Sequence, residues 1–333
     1  MRRLTVDPQS PDPEAIAAAA AVLRAGGLVA FPTETVYGLG ADALHPAAVR
    51  RIYEAKGRPA FNPIIVHVAS IEDAQRLARH WPAHATRLAQ RFWPGPLTLV
   101  VPKDIAVPDI VTAGLDAVGI RVPAHPVALA LIRAADLPVA APSANRFTEL
   151  SPTSADHVAQ ALGDRIDMLL DGGPANVGIE STVVDLTGPM PRLLRPGMIS
   201  IASLEEVVGP VERDIAEPTG EAPRLSPGQV DRHYAPRAAL QVLSSAELAA
   251  LSEPQAAAAL RRLSHGALVY TDVRLPAGSH VVRLPAQADG YARGLYAALH
   301  QLDAAGCDRI LVELPPVTPQ WNAVHDRLRR AAH

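Results

Sequence analysis

Apolar positions along this chain fall into two alternating kinds of run. Short, nearly continuous apolar stretches appear at LVAF (28–31), PIIVHV (63–68), LTLVV (97–101), GIRV (119–122), PVAA (138–141), DMLL (167–170) and STVVDL (181–186). Runs of that length with β-branched residues predict buried strands. Helical spacing separates several of them, around 71–80, 83–92, 126–135 and 154–162. A first helix is expected through AIAAAAAVLRAGG, capped by Ser10 or Asp12 and ended by its glycines. In HPAAVRRIYEA, Val49, Ile52 and Tyr53 share one side, Gly57 stands just past the expected helix end, and Pro59 prevents continuation. The pattern predicts an α/β fold, a twisted mixed sheet with flanking helices.

The texture changes over 209–237, where GPVERDIAEPTGEAPRLSPGQVDRHYAP is rich in proline, glycine and charge and has no period. Loops this long are usually functional or disordered. The alternation then resumes with strands at 240–243, 267–270, 280–284 and 309–314, and helices through 246–263, 287–304 and from about 320. This predicts a catalytic-type domain over 1–208, a linker or lid over 209–237, and a smaller Rossmann-like α/β domain over 238–333. The smaller domain has neither GxGxxG nor GxxxxGK[ST], so its topology alone implies no nucleotide.

Length and composition agree with that division. The chain has 333 residues, too many for one ordinary core, with 48% hydrophobic and 20% charged residues. A net charge of −3 argues against a protein that coats nucleic acid over its whole surface, though a local basic groove is compatible with it. Cys307 is the only cysteine, which excludes an internal disulfide and every multi-cysteine zinc site and fits a reducing, cytoplasmic setting. The start, MRRLTVDPQSPDPEA, does not read as a signal peptide, and no apolar stretch approaches the ~20 residues of a membrane span.

Only two of the 31 basic side chains are lysine, and one, Lys56, lies in KGRPAFNPIIVHV (56–68). A compact ammonium makes a point contact with phosphate and Arg58 adds a planar fork, so the pair reads as a polyanion grip. The alternative is a cationic helix end that favours the macrodipole by a few tenths of a kcal/mol with no ligand. As a phosphate contact Lys56 is expected to be an exposed helix-end lysine, whose removal costs turnover and little stability; equal loss of folding and activity would favour a structural role. FPTETVYGLGAD (31–42) crowds Thr33, Thr35 and Tyr37 around Glu34 at a strand's carboxyl end, where open α/β sheets place ligands; the same residues can cap turns around a solvated Glu34. His67 shares a strand face with Ile65 and can also line an exposed face. Ser143 and Asn145 leave a strand in APSANRFTELSPT, where they can bind a ligand or satisfy a turn. Arg121 sits inside an apolar strand and needs an anion, from protein or ligand. Arg195 stands at a strand end before a Pro-Gly turn. Together these place cations and hydroxyls at strand ends of one sheet, a pattern that suits a polyanion with a small polar co-substrate.

KGRPAFNPIIVHV, APSAN followed by SPT, GIESTVVDL, LLRPG and SPGQVDRHYAP, in that order, resemble the Sua5/YrdC/YciO family in its two-domain Sua5 layout. The resemblance implies a YrdC-like first domain and formation of L-threonylcarbamoyladenylate and pyrophosphate from L-threonine, bicarbonate and ATP, with Mg²⁺ accompanying the nucleotide and no metal site in the protein. The product serves N6-threonylcarbamoylation of adenosine 37 in tRNA through downstream transferase proteins; direct contact with tRNA would be weak. It implies an amino-acid pocket of Thr35, His67, Arg121, the Ala141 main chain and Ser181. It implies a nucleotide side of Lys56, Arg58, Asn62, Ser143, Asn145, Ser151, Arg195 and Tyr234 with main chain near Ala117, Lys56 and Arg58 carrying the catalytic charge neutralisation.

Adenylation of a carbamate needs alignment and charge neutralisation, not a covalent enzyme intermediate. The chain departs from the family pattern at Phe147-Thr148, at Val230, where a lysine is common, and at Ala117, where threonine is common. A non-catalytic RNA-binding relative is a second reading. A carbamoyl-transfer domain of the hydrogenase-maturation type is a third, and it requires cysteine-rich zinc modules that one cysteine cannot supply.

Overall fold

The computed structural model describes residues 1–213, 225–227, 233–251, 253, 264–273, 275 and 278–332. Most of the segment expected as linker, together with Val230 and the 254–263 end of the helix expected through 246–263, lies outside the described residues. The described residues divide into two compact units, 1–147 with 152–229 and 148–151 with 230–333.

In the first unit the elements run β1 (Arg2–Thr5), α1 (Pro13–Arg24), β2 (Val29–Phe31), β3 (Gly38–Asp42), α2 (Pro46–Lys56), β4 (Val66–His67), α3 (Ile71–Arg76), α4 (Ala83–Phe92) and β5 (Leu97–Pro102). They continue with α5 (Asp109–Thr112), β6 (Ala117–Arg121), α6 (Pro126–Ala135), β7 (Val139–Ala140), α7 (Ala155–Leu162), β8 (Met168–Asp171), β9 (Thr182–Asp185), β10 (Arg192–Arg195) and α8 (Ile201–Val208). The ten strands form one mixed sheet in the order β1-β8-β2-β3-β7-β4-β6-β5-β9-β10. Asp12 caps α1 by accepting from the Glu14 and Ala15 amides, with Pro13 in the first turn. Gly57 ends α2 in the left-handed region at φ 62°, the conformation that favours glycine.

Alternation along the central strands decides what each face carries. Ile64, Val66, Val68, Leu97, Leu99, Val101, Val118, Ile120 and Val184 point into the main core beneath α2 and α4. On the opposite face, α1 and α6 pack over β2, β7 and β8 through Leu23, Phe31, Val127, Leu131, Val139 and Leu170. Over β4, β6, β5 and β9 that second face carries His67, Arg121 and Thr98 beside a small apolar patch of Val100, Val183 and Leu194. Sheet order therefore sets the functional residues beside a fully packed half-face.

The second unit holds β11 (Ala239–Leu243), α9 (Ser245–Ala250), β12 (His265–Val269), β13 (His280–Arg283), α10 (Ala288–Ala304), β14 (Arg309–Glu313) and α11 (Asn322–Ala331). Its four strands are all parallel, in the order β11-β14-β12-β13. That is the Rossmann-like arrangement expected from the strand–helix alternation.

Candidate active site

One row of residues crosses that second half-face. His67 on β4 pairs with Arg121 on β6, and Thr98 on β5 pairs with Val183 on β9. Arg121 Nη1 donates to Thr35 Oγ1 at 2.9 Å, Nε donates to Gly95 O at 3.2 Å, and Nη2 lies 2.7 Å from Glu34 Oε1. Ser181 Oγ bonds Thr98 Oγ1 at 2.8 Å and accepts from Arg195 Nη2 at 3.1 Å. Arg195 also donates from Nε to Ser181 O at 3.1 Å and from Nη1 to Pro227 O at 3.0 Å. Leu225 packs against Val100, Val183 and Leu194, so the described piece 225–227 sits on this face. His67, Arg121 and Arg195 are the last residues of β4, β6 and β10, Thr35 follows β2 and Ser181 precedes β9, so these residues stand at strand ends of one sheet, as the sequence pattern predicts.

A second group surrounds the start of β4. Lys56 is only 3% exposed, which corrects the expectation of an exposed lysine. Its ammonium donates to Ser143 O at 2.6 Å and to Asn145 O, so the end of α2 grips the loop after β7. Arg58 donates from Nε to Asn62 O at 3.0 Å and from Nη2 to Pro63 O at 2.7 Å, while Tyr53 adds a bond to Asn62 O at 3.1 Å. The two groups meet through shared neighbours. Ala141 N donates to Ile65 O at 3.0 Å, and Pro63, Ile65, Thr98, Gly119, Val183 and Pro227 line one small cavity. Pro63 and Pro227, one carbonyl partner each of Arg58 and Arg195, thus line the same cavity.

Several expectations change in detail. Ala141 has its amide committed to Ile65, leaving its carbonyl as the polar main-chain group. Ala117 is half-buried beside Val100 and Val183 and offers no polar side chain. Thr33 Oγ1 accepts from the Val36 amide at 3.3 Å, the turn-capping role. Glu34, read as solvated in the turn-capping alternative, is buried against Arg121. Ser151 and Tyr234 belong to the second unit. There Ser151 O bonds His300 Nε2 at 3.1 Å, and Tyr234 packs between Tyr296 and the Arg327 guanidinium.

Two participants escaped the sequence reading. Thr98 is fully buried in an otherwise apolar strand, and one hydroxyl interrupting LTLVV was the available signal. Gly197 is the other: a Cβ there would collide with the main chain of Ser181 and Thr182, so the Pro-Gly turn after Arg195 can press against the serine only as glycine.

Electrostatics set the state of His67. Burial, and then the neighbouring Arg121 charge, lower its pKa to about 3, so the imidazole is neutral at ordinary pH. Burial also lowers His125. A histidine lowered in the fold is protonated first in the unfolded chain. Unfolding free energy therefore falls as pH drops from about 6.5 toward 3, with a slope for His67 alone of up to about 1.4 kcal/mol per pH unit. His67→Gln is expected to flatten that slope in denaturant titrations between about pH 5 and pH 7; an unchanged slope would contradict the buried, neutral assignment.

Buried polar atoms with no hydrogen-bond partner include both Glu34 oxygens, Arg121 Nη2, His67 Nδ1 and the Asn62 side-chain amide. Native proteins rarely leave such atoms unmet, and their gathering about Arg121 and the start of β4 marks a candidate place for a polar ligand.

The family described as Telomere recombination, Sua5/YciO/YrdC, matches residues 21–197. This chain belongs to the Sua5/YrdC/YciO family. Residues 199–333 match the family described as the threonylcarbamoyl-AMP synthase C-terminal domain, the second domain of Sua5-type members. The threonylcarbamoyl-AMP synthase of Pyrococcus abyssi is 44% identical, over 94% of this chain and 93% of its own. That of Bacillus subtilis is 44% identical, over 96% of this chain and 93% of its own. The crystal structure of P. abyssi Sua5 complexed with L-threonine superposes with a TM-score of 0.90 at 41% identity, covering 100% of this chain and 98% of that one. Fold and two-domain family membership therefore agree with the α/β reading of the sequence.

Proposed function

We propose that this chain is a threonylcarbamoyl-AMP synthase, an enzyme that forms L-threonylcarbamoyladenylate and pyrophosphate from L-threonine, bicarbonate and ATP. The observation that carries the reading is the buried Arg121–Thr35–Glu34–His67 group, with unmet hydrogen-bond capacity, beside the Ser181–Arg195 and Lys56–Arg58 cations. Its relatives across most of the chain are named for that activity.

Arg121 takes the amino acid's carboxylate, for which a guanidinium fork is the matched partner. Thr35, Ser181, His67 and the Ala141 carbonyl surround the remaining polar groups of threonine. Because His67 is neutral, it adds no charge to the pocket. The threonine ammonium gives up a proton, the free amine adds to the bicarbonate carbon and water leaves to give the carbamate, one of whose oxygens attacks the α-phosphorus as pyrophosphate departs. Lys56, Arg58 and Arg195 offset negative charge on the phosphates, while Asn62, Ser143 and Asn145 with main chain near Ala117 orient the nucleotide. The cations are already held by carbonyls, so little reorganisation is needed when charge develops.

Among the described residues no three His, Cys, Asp or Glu side chains come together as metal ligands. Magnesium is proposed to arrive on the ATP phosphates, as part of the substrate, where it neutralises charge. No described helix is long and apolar enough to cross a membrane. A cytoplasmic setting and hand-over of the adenylate to a tRNA-modifying transferase complete the proposal.

Pyrophosphate release from MgATP tests it. Release that requires both L-threonine and bicarbonate is expected. Release independent of either one would overturn the assignment.

A further inference from the structure

We propose that Glu34 is the ammonium anchor of the amino-acid pocket, so that Glu34 and Arg121 together form a clamp selective for a zwitterion. The inference rests on the amino-acid reading above and assigns a residue that reading leaves without a role.

Three observations carry it. First, Arg121 is fixed without Glu34, because Gly95 O and Thr35 Oγ1 already hold its Nε and Nη1. Second, the Glu34–Arg121 contact is close but misdirected: Oε1 lies 2.7 Å from Nη2, yet neither carboxylate oxygen nor Nη2 has a partner in hydrogen-bond geometry. A purely structural buried pair gains most from a parallel two-bond fork. Third, Glu34 is 7% exposed and stands in the tight 33–36 turn, with its own carbonyl accepting from Val177 N at 2.7 Å, so its main chain is anchored.

The pair thus presents one buried negative and one buried positive group side by side, both with unused hydrogen-bonding capacity. An amino acid carries the complementary charges on neighbouring atoms. Its carboxylate pairs with Arg121 Nη2 and its ammonium with Glu34, each charge meeting its opposite head to tail. Threonine recognition then has separate parts: the clamp reads the zwitterion, and the uncharged groups His67, Thr35 and Ser181 read the side chain.

The test compares two ligands by calorimetry: L-threonine, and the α-hydroxy acid in which a hydroxyl replaces its ammonium. Wild type should favour threonine by about 100-fold, the range of a charge-assisted hydrogen bond. Glu34→Gln, checked for folding by thermal unfolding, should weaken threonine by about 30-fold or more and leave the hydroxy acid within about threefold. Equal weakening of both ligands would show a structural role only and overturn the proposal, as would unchanged threonine affinity. If Glu34→Gln does not fold, Glu34→Asp keeps the charge with shorter reach, and the same selective loss, at about tenfold or more, is expected; an equal loss overturns the proposal. Wild type that binds no L-threonine would overturn the amino-acid reading itself and this assignment with it, whereas threonine binding retained in Glu34→Gln overturns the anchor alone.

Discussion

Lys56→Ala is expected to lower both turnover and stability. The side chain is buried and its ammonium donates to the Ser143 and Asn145 carbonyls. Alanine leaves those acceptors unmet in a region that water enters with difficulty, at about 1–3 kcal/mol for each. Thermal unfolding should drop by several degrees, and pyrophosphate release should fall by about 100-fold or more through lost charge neutralisation and a displaced 143–145 loop. Lys56→Arg should not rescue, because a planar fork does not fit where a compact ammonium joins two carbonyls. A variant as stable as wild type but inactive would restore the simpler picture of an exposed phosphate contact.

Arg121→Ala is expected to destabilise the fold as well. It removes the only cation within salt-bridge distance of Glu34 among the described residues and leaves a buried carboxylate uncompensated. Breaking a buried pair from one side costs about 3–5 kcal/mol. Binding of L-threonine should be lost with it. Arg121→Ala/Glu34→Ala, which removes both charges, should recover part of the stability and none of the activity; the double-mutant cycle separates the two roles. Additive stability losses would show that the pair does not interact energetically.

Much of this site was legible in the chain because its functional residues alternate with core residues. In GIR and IVH, one apolar neighbour, Ile120 or Val66, enters the main core while the next residue faces the ligand side. Periodicity therefore placed Arg121 and His67 on strands. It could not tell which face helices would cover, since that depends on the crossover order that sets α1 and α6 over β2, β7 and β8. β3 read as loop because GLGAD has two glycines and little apolar surface; it is a strand because it pairs with β2 and β7 on both sides. β1 escaped for a related reason: RRLT carries few apolar positions and pairs only along one edge, with β8.

The burial of Lys56 was hidden as well. A lysine in the last turn of a helix is normally exposed, and only the return of the chain at 143–145, far away in sequence, encloses it. Glu34 was ambiguous on the same grounds, its partner Arg121 lying on a different strand. What local pattern cannot carry is pairing over long sequence separation, and the chemistry here is made of such pairs.

A crystal structure with L-threonine, magnesium and a non-hydrolysable ATP analogue tests the central claim most directly. The amino acid's carboxylate should lie on Arg121 and the phosphates against Lys56, Arg58 and Arg195, over the face shared by Ile65, Thr98 and Gly119. Nucleotide density elsewhere, with this face still closed by protein side chains alone, would contradict the account.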